Sequence, residues 1–516
     1  MSYSPALGSA LTHTKMRNPE NISAFSGMCA VCTSNCTGTC EIGLSAVRGS
    51  EATYPYRRDV NQFASEKDYP LDFSHFAING RVFGAAGCEE DADEAAYPKV
   101  KTEAELGLKN KVKMKMPVIL PAIAKLNWKD YYIGAALAGV SVVIGEDAIP
   151  NDKNLVLENG KVVSSPLVEE MLNYFRKYSR GYGDIIMQAN YDDENSGVLD
   201  YVIPKLGVKS VELKFGQAAK GIQGMGRINT LEEALKLQEK GYLVYPDPSD
   251  SKTAENFKNG KGPIFEKIGK LPMWNEEILK NRIAHLREMG AERICFKTGP
   301  FDPKDTIRIL KIASENKVDL VTFDGAGGGT GNSPVKMMNE WGMPTVNLES
   351  MLYDILKRMD EKGYILPQVA IAGGFALEDQ IFKGLALGAP YINFVAVGRA
   401  AMAAAMVGKQ IGELIEAGNI PKEYQNFGST KEEIFSDIRE LKLYYDDVEE
   451  ISTGAVGVYS FINRISAGIK QLMALNRKFD IKYIDRSDII PMTDLAADVT
   501  GLDTYEDIYV KELEKI

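Results

Sequence analysis

Short apolar runs alternate with stretches of helical periodicity from Met116 onward. Runs rich in valine, isoleucine and leucine are typical of strands that are buried on both faces of a parallel sheet. Eight such runs occur along the chain, at Pro117–Pro121, Ser141–Gly145, Asp184–Gln188, Ser210–Phe215, Arg293–Lys297, Asp319–Asp324, Gln368–Ala372 and Tyr391–Val397. Because helical stretches separate them, the pattern predicts an α/β fold, a closed (β/α)8 TIM barrel rather than an open doubly wound sheet.

The same pattern divides the chain into three parts. Residues 1–110 lack the alternation and contain four closely spaced cysteines, so we expect an N-terminal extension that packs on the rest of the chain. The barrel is predicted at residues 111–407, and a charged, helical C-terminal extension is predicted at residues 408–516.

The connection between the fourth and fifth runs is far too long for a simple loop. It contains stretches of helical periodicity at Thr230–Lys240 and Glu276–Met289, with a segment rich in proline, aspartate, serine, lysine and glycine between them. Long insertions after a barrel strand often build or cover the active site. We therefore expect this insertion to lie beside the functional site.

The composition is that of a globular enzyme. Of the 516 residues, 45% are hydrophobic and 25% are charged, and the net charge is −11. An acidic chain argues against broad binding to nucleic acid or to anionic membranes. No apolar run approaches the roughly 20 residues that span a bilayer, and Met1–Lys15 lacks the apolar core of a secretory signal. A cytoplasmic location is the default expectation.

The densest glycine segment comes after the sixth run. In Asp319–Pro334, DLVTFDGAGGGTGNSP, a strand ends at Asp324 and five glycines follow within seven residues. Glycine lets the backbone approach a ligand closely or adopt a positive φ, and barrel enzymes keep their sites at the carboxyl ends of strands. The segment, with Gly327, Gly328 and Gly329, predicts a ligand-binding loop; a merely flexible loop is the alternative.

Glycine turns also follow the last two runs. The seventh run ends in Gly373 and Gly374, and the eighth ends in Gly398 and Arg399 before a helical stretch. Glycine turns and a helix N-terminus at these strands form the usual phosphate site of barrels, because backbone N–H groups and the helix dipole hold the anion. Arg399 would add charge-assisted hydrogen bonds, unless it forms a surface salt bridge.

Two lysines occupy neighbouring strand ends. Lys214 alternates with the apolar side chains of the fourth run, and Lys297 ends the fifth. A buried lysine needs an anion or an electron-rich ring beside it. The pair therefore indicates a site for a flavin ring and an acidic substrate. The alternative is a pair of internal ion pairs, with Glu212 or Asp324 as partners.

These motifs resemble the synthase domain of the glutamate synthase family. KFGQAAKGIQGMG resembles its lysine–glutamine–glycine signature, VTFDGAGGGTGNSP its glycine-rich segment, and VAIAGGF with LALGAPYINFVAVGRAAM its later glycine turns. The resemblance runs in order along roughly residues 116–407. It implies an FMN-dependent barrel, an oxidoreductase that reduces 2-iminoglutarate, formed from 2-oxoglutarate and ammonia, to glutamate.

The resemblance also implies roles for individual residues. Lys214, Gln217 and Lys220 are the expected catalytic residues, with Lys214 at the N1/O2 edge of the flavin and the other two facing the substrate carboxylates. The expected cofactor-binding residues are Gln188, Lys214, Lys297, Asp324, Gly327, Gly328, Gly329, Gly373, Gly374, Gly398 and Arg399. Gln188 would contact the ring, and the glycines with Arg399 would hold the phosphate.

The chain departs from the family pattern in ways that bear on its reaction. Gly221 follows the motif lysine where the family has proline, and residues 402–410 lack the family's iron–sulfur cysteines. A domain for glutamine hydrolysis is not seen, so ammonia would come from a partner subunit. The alternatives are an enzyme that forms or cleaves an N-substituted amino acid, as an N-methylglutamate synthase would, and a non-catalytic assembly or electron-relay subunit.

Four cysteines crowd into twelve residues near the N-terminus, with the spacing C-x2-C-x3-C-x3-C. They are Cys29, Cys32, Cys36 and Cys40. Four thiolates so close can bind one [4Fe–4S] cluster or one zinc ion. We favour the cluster, because a flavin must be re-reduced and the family's usual cluster ligands are missing; zinc and free thiols remain open. The solitary Cys88 and Cys295 are expected to be packing residues.

No nicotinamide site is visible. The histidines, His13, His75 and His285, lie outside the motifs, and no glycine fingerprint has the strand, helix and acidic residue that NAD(P) binding requires. Electrons are therefore expected from ferredoxin or from a partner subunit, and the chain is expected to be part of an oligomer.

Overall fold

Eight parallel strands form a closed barrel in the computed structural model, which describes residues 4–5, 15–16, 41–53, 69–123, 126–146, 148–216, 225–262, 264–328 and 333–516. The strands are Val118–Leu120 (β1), Ser141–Ile144 (β2), Ile185–Ala189 (β3), Ser210–Lys214 (β4), Arg293–Thr298 (β5), Leu320–Asp324 (β6), Gln368–Ala372 (β7) and Phe394–Ala396 (β8). They pair in chain order, and β8 closes the barrel on β1. The predicted (β/α)8 fold is confirmed.

A ring of helices surrounds the barrel. Its members are Trp128–Ala138 (α1), Pro166–Tyr178 (α2), Val198–Leu206 (α3), Glu276–Glu288 (α4), Pro303–Glu315 (α5), Thr345–Glu361 (α6), Glu378–Gly388 (α7) and Arg399–Glu416 (α8). Local sequence explains where they begin. In α5, for example, the Asp302 side chain accepts a hydrogen bond from the Lys304 N–H, and Pro303 occupies the first turn, where a missing N–H costs nothing.

Shorter elements complete the described chain. Further helices are Glu41–Arg48, Ala148–Asn151, Tyr191–Asn195, Leu231–Glu239, Ser251–Lys258, Val335–Glu340, Lys422–Gln425, Lys431–Ile434, Ile438–Leu441, Asp494–Thr500 and Tyr505–Leu513. Antiparallel strand pairs are Ser4–Pro5 with Lys15–Met16, Ala104–Leu106 with Val112–Met114, and Val156–Glu158 with Lys161–Ser164. No helix among the described residues is long and apolar enough to cross a bilayer.

The insertion after β4 is a small unit of its own. Strands Met225–Ile228, Leu243–Tyr245 and Phe265–Ile268 form an antiparallel sheet with the last in the middle. Lys240 Nζ donates to the carbonyl oxygen of Pro150 after β2 (3.2 Å), and Lys270 Nζ lies 3.8 Å from Asp192 after β3. The insertion therefore docks on loops at the carboxyl end of the barrel, as expected.

The two extensions meet each other. Phe76–Ile78 pairs antiparallel with Ile489–Pro491, so the described part of the N-terminal extension pairs with the C-terminal one. The predicted helical C-terminal extension is confirmed. Its long helix Thr453–Leu475 (α9) packs against α8 and α1, and α8 itself runs across residue 407.

Glycines allow α8 and α9 to approach closely. A Cβ atom on Gly457 of α9 would lie 2.5 Å from the carbonyl oxygen of Ala404 in α8. A Cβ atom on Gly408 of α8 would lie 2.5 Å from the carbonyl oxygen of Thr453. Real side chains do not tolerate such distances, so the two backbones touch only because both positions are glycine.

We expect Gly457→Ala to lower the free energy of unfolding by about 1–3 kcal/mol, because the new methyl group forces the two helices apart. Urea titration followed by circular dichroism measures the change. Gly226→Ala is the matched control, because a Cβ atom there meets nothing within 4 Å. Equal stabilities for the two variants would show that the helix crossing tolerates a side chain.

Candidate functional site at the barrel mouth

Two buried lysines lie side by side at the mouth of the barrel, which is the end where the carboxyl ends of the eight strands meet. Lys214 ends β4, Lys297 lies near the end of β5, and the two are directly opposite in the parallel register. Their side chains are only 3% and 7% exposed. Two like charges buried on adjacent strands repel each other, so each needs an opposite charge nearby.

Each lysine has a carboxylate partner from another strand. Lys214 Nζ lies 2.6 Å from Glu146 Oε2, which follows β2, and Lys297 Nζ lies 3.3 Å from Asp324 Oδ2 at the end of β6. Asp324 was one of the two partners expected from the sequence; Glu146 was missed. The only feature of the sequence that points to Glu146 is its position directly after the second apolar run.

A glutamine and a glutamate lie on facing positions of β3 and β4. Gln188 Nε2 donates to Glu212 Oε1 at 2.5 Å, and both residues are 2% exposed. The other amide atom, Gln188 Oε1, is buried and has no hydrogen-bond partner among the described residues. Burial raises the pKa of Glu212, and the charge of Lys297 opposes that rise.

The glycine turns after β6 and β7 touch each other. Gly325 N–H donates to the carbonyl oxygen of Ala372 (2.7 Å), and the Thr345 hydroxyl at the start of α6 donates to the carbonyl oxygen of Gly373 (2.9 Å). Gly373 has φ +115°, and a Cβ atom on it would lie 2.7 Å from that hydroxyl oxygen. Position 373 therefore requires glycine. Thr345 was not expected from the sequence.

Gly374 differs from its neighbour. It has φ +86°, but a Cβ atom there would meet nothing within 4 Å. On the other turn, the Gly328 N–H donates back to the carbonyl oxygen of Gly325, which makes a tight backbone curl. The two turns thus pack closely against each other at Gly373 and leave open space beside Gly374.

Arg399 begins α8 beside these turns. Gly398, the preceding residue, provides no side-chain cap for the helix, and a Cβ atom on it would lie 3.1 Å from Pro121 after β1. The N-terminal turn of a helix carries N–H groups and partial positive charge. Burial lowers the pKa of Arg399, and the negative charge of Asp324 opposes this shift. Asp324 thus lies within the electrostatic reach of two cations, Lys297 and Arg399.

Acidic residues after β3 were also missed by sequence reasoning. Asp193 is fully buried, and burial raises its pKa well above the ordinary value, with the charge of Glu146 adding to the rise. Asp192 is buried beside it. Both belong to the short helix Tyr191–Asn195, YDDEN, which the preceding Asn190 caps at its N-terminus. The acidic side of the mouth therefore extends from Glu146 to these two aspartates.

A cavity of about 590 Å³ lies beside the mouth. Tyr191, Glu194, Trp274 and Arg282 are among its lining residues, and none of the expected site residues lines it. Trp274 packs on Phe215, the residue after Lys214, with ring centroids 5.5 Å apart. The contact between these two aromatic rings thus links the wall of the cavity to the end of β4.

Several expected residues lie outside the described part of the chain. They are Gln217, Lys220, Gly329, Cys29, Cys32, Cys36 and Cys40. Within the described part, no cluster of three or more histidine, cysteine, aspartate or glutamate residues could hold a metal ion. Cys295 is fully buried in β5 and Cys88 is half-buried, and neither forms a disulfide.

Residues 270–409 match the family model described as the conserved region in glutamate synthase. The second half of the barrel is thus similar to the conserved region in glutamate synthase. The match covers β5 to β8, with Lys297, the described glycine turns and Arg399, and leaves β1 to β4 outside. No curated protein is significantly similar to the whole chain in sequence.

Solved structures with a similar shape include several flavoproteins. A flavocytochrome b2 variant with pyruvate bound is 14% identical, with a TM-score of 0.46 over 85% of this chain and 81% of that chain. The flavin-binding domain of baker's yeast flavocytochrome b2 is 13% identical, with a TM-score of 0.45 and the same coverage. (S)-Mandelate dehydrogenase is 13% identical, with a TM-score of 0.43 over 81% of this chain and 89% of that chain.

The Lys214–Glu146 pair gives a stability prediction. Lys214→Met leaves a largely buried carboxylate without its cation, and we expect the free energy of unfolding to fall by about 3 kcal/mol. Lys214→Met combined with Glu146→Gln should recover most of that loss, since no buried charge then remains unpaired. Urea titration of the single and double variants measures both effects. A double variant no more stable than Lys214→Met would contradict the pairing.

Proposed function

We propose that this protein is an FMN-dependent oxidoreductase of glutamate synthase type, which reduces 2-iminoglutarate, formed from 2-oxoglutarate and ammonia, to glutamate. The observation that carries the proposal is the convergence at one barrel mouth of two buried lysines with the glycine turns after β6 and β7. The match of residues 270–409 to the conserved region in glutamate synthase supports it independently.

The residues fit the phosphate group of FMN. A phosphate needs several N–H donors, positive charge and room next to the backbone. Gly374 leaves open space where another residue would have a side chain. The N-terminus of α8, which has no side-chain cap, follows β8, the strand next to the one that Gly374 follows. Arg399 adds the charge. We propose that Gly327, Gly328, Gly373, Gly374, Gly398 and Arg399 hold the phosphate, together with Gly329, the next residue in the sequence after Gly328.

The residues also fit the polar edge of the flavin ring, which carries both carbonyl oxygens and an imide N–H. Gln188 Oε1 is a buried acceptor without a partner among the described residues, while Lys214 and Lys297 are buried donors. Cations beside the ring favour its reduced, anionic form. When bound, FMN supplies the hydride transfer, and the protein orients the ring and its substrate.

The charges of the mouth fit a substrate with carboxylates. Lys214 and Lys297 pair with Glu146 and Asp324, and the carboxylates of a substrate such as 2-oxoglutarate would add further acceptors for the same two cations. We propose that Gln217 and Lys220, on the segment after β4, complete the binding of these groups. Removing the substrate's charges from water would strengthen each contact.

We further propose how electrons and ammonia reach the barrel. Cys29, Cys32, Cys36 and Cys40 would bind a [4Fe–4S] cluster that passes electrons from ferredoxin or a partner subunit to the flavin. Ammonia would come from a second partner, in a cytoplasmic assembly. These assignments rest on cysteine spacing and on the family resemblance.

Anaerobic purification with flavin and iron analysis tests the proposal directly. We expect stoichiometric FMN together with iron, and reoxidation of the photoreduced protein by 2-oxoglutarate with ammonium. Protein without flavin would refute the proposal, and zinc without iron would refute the cluster. Reoxidation only with methylamine as the amine would point to the N-substituted amino acid instead, and reoxidation by neither amine would point to a non-catalytic subunit.

Arg399 gives a sharper test of the phosphate site. We expect Arg399→Gln to weaken FMN binding by about tenfold, because it removes one charge-assisted contact. Arg308→Gln is the matched control, since Arg308 is an exposed arginine on α5 that pairs with Glu276. Fluorescence titration of apoprotein with FMN measures both. Equal affinities for the two variants would place the phosphate elsewhere.

A further inference from the structure

The inner face of β4 carries a carboxylate one layer below the lysine pair. Alternate residues of a strand point to the same side, so Glu212 faces the barrel interior together with Lys214. Glu212 lies directly opposite Gln188 in the parallel register and receives a 2.5 Å hydrogen bond from Gln188 Nε2. Both side chains are almost completely buried.

This hydrogen bond determines which end of the amide remains available. Glu212 Oε1 accepts the hydrogen bond, so the NH2 end of Gln188, its only donor group, faces Glu212. The oxygen end, Oε1, is then left as a buried acceptor, and it has no partner among the described residues. Such an atom in a protein interior needs a donor, which a bound molecule or a water can supply.

We infer that Glu212 is a positioning residue for the flavin site, because it fixes Gln188 with its amide oxygen presented to an N–H group of the bound ring. The inference rests on the proposed function, since it takes the flavin imide as that donor. Burial raises the pKa of Glu212, while the charges of Lys297 and Lys214 and the hydrogen bond from Gln188 oppose that rise. A glutamine at position 212 could donate hydrogen bonds as well as accept them, so it would no longer fix the orientation of the Gln188 amide.

A double-mutant cycle tests this role. Glu212→Gln, Gln188→Ala and the combined variant are compared with the wild type by titrating apoprotein with FMN. We expect Glu212→Gln to weaken FMN binding by about tenfold in the wild-type background. In the Gln188→Ala background it should cause no further loss, because Glu212 acts only through that amide.

A readout besides affinity separates positioning from a general structural role. We expect Glu212→Gln to shift the absorption maxima and the reduction potential of the bound flavin, while the thermal midpoint of the apoprotein stays at or above the wild-type value. Glu349→Gln is the matched control, because Glu349 is a fully buried glutamate on α6 that packs beside Gly388. This substitution should change neither the absorption maxima nor the reduction potential of the bound flavin.

The outcomes that overturn the inference are distinct. Wild-type affinity in Glu212→Gln refutes it and leaves the proposed function standing. An equal loss in the Gln188→Ala background also refutes it, because Glu212 would then act independently of the amide. A wild-type protein that binds no FMN refutes the proposed function, and the inference with it. If Glu212→Gln does not fold, Glu212→Asp, which withdraws the carboxylate by one methylene, carries the same expectations.

Discussion

The burial of two lysines on adjacent strands is the constraint on which the barrel mouth depends. Lys214 and Lys297 are opposite in register, and neither charge is tolerated in the interior without an anion. The anions come from the residue after β2, two strands away from β4, and from the end of β6, the strand next to β5. The two lysines and their two carboxylates come from β2, β4, β5 and β6, or from the residue that follows β2, and each pair must lie within a few ångströms. The order of these strands, their register and the positions at which they end are therefore all constrained by the same two ion pairs.

The mouth consists of two chemically different halves. From β2 to β5 it presents charged and amide side chains, including Glu146, Gln188 and Lys214. From β6 to β8 it presents backbone, because the contact between the glycine turns leaves no room for a Cβ atom on Gly325 or Gly373. A half made of N–H groups suits a phosphate, and a half made of directional side chains suits a polar ring and a carboxylate substrate.

Sequence reasoning located what depends on local pattern and missed what depends on distant contacts. All eight strands were predicted because buried parallel strands are continuous apolar runs, and the helices Leu231–Glu239 and Glu276–Glu288 of the insertion were predicted from their periodicity. The three-stranded sheet of the insertion was missed, since its three- and four-residue strands carry no such signal. Glu146 was missed because it lies 68 residues from Lys214 and only the fold brings them together.

Charged and polar side chains also lie inside the barrel, below the mouth. At the amino end of β5, Arg293 Nε donates to Ser210 Oγ (2.6 Å), and the guanidinium pairs with Asp184. The inner positions of β4 are therefore polar from end to end, where barrels usually carry layers of branched apolar side chains. Each of these groups contacts a side chain from another strand or from the loop beside it, so a change in one of them alters the hydrogen bonding or the charge balance of its partner. The glycine turns need only the backbone conformation of a phosphate site, which many reactions share. Under the proposed function, the side chains on β3 to β5, most of which lie outside the family match, would be the part of the barrel that distinguishes one substrate from another.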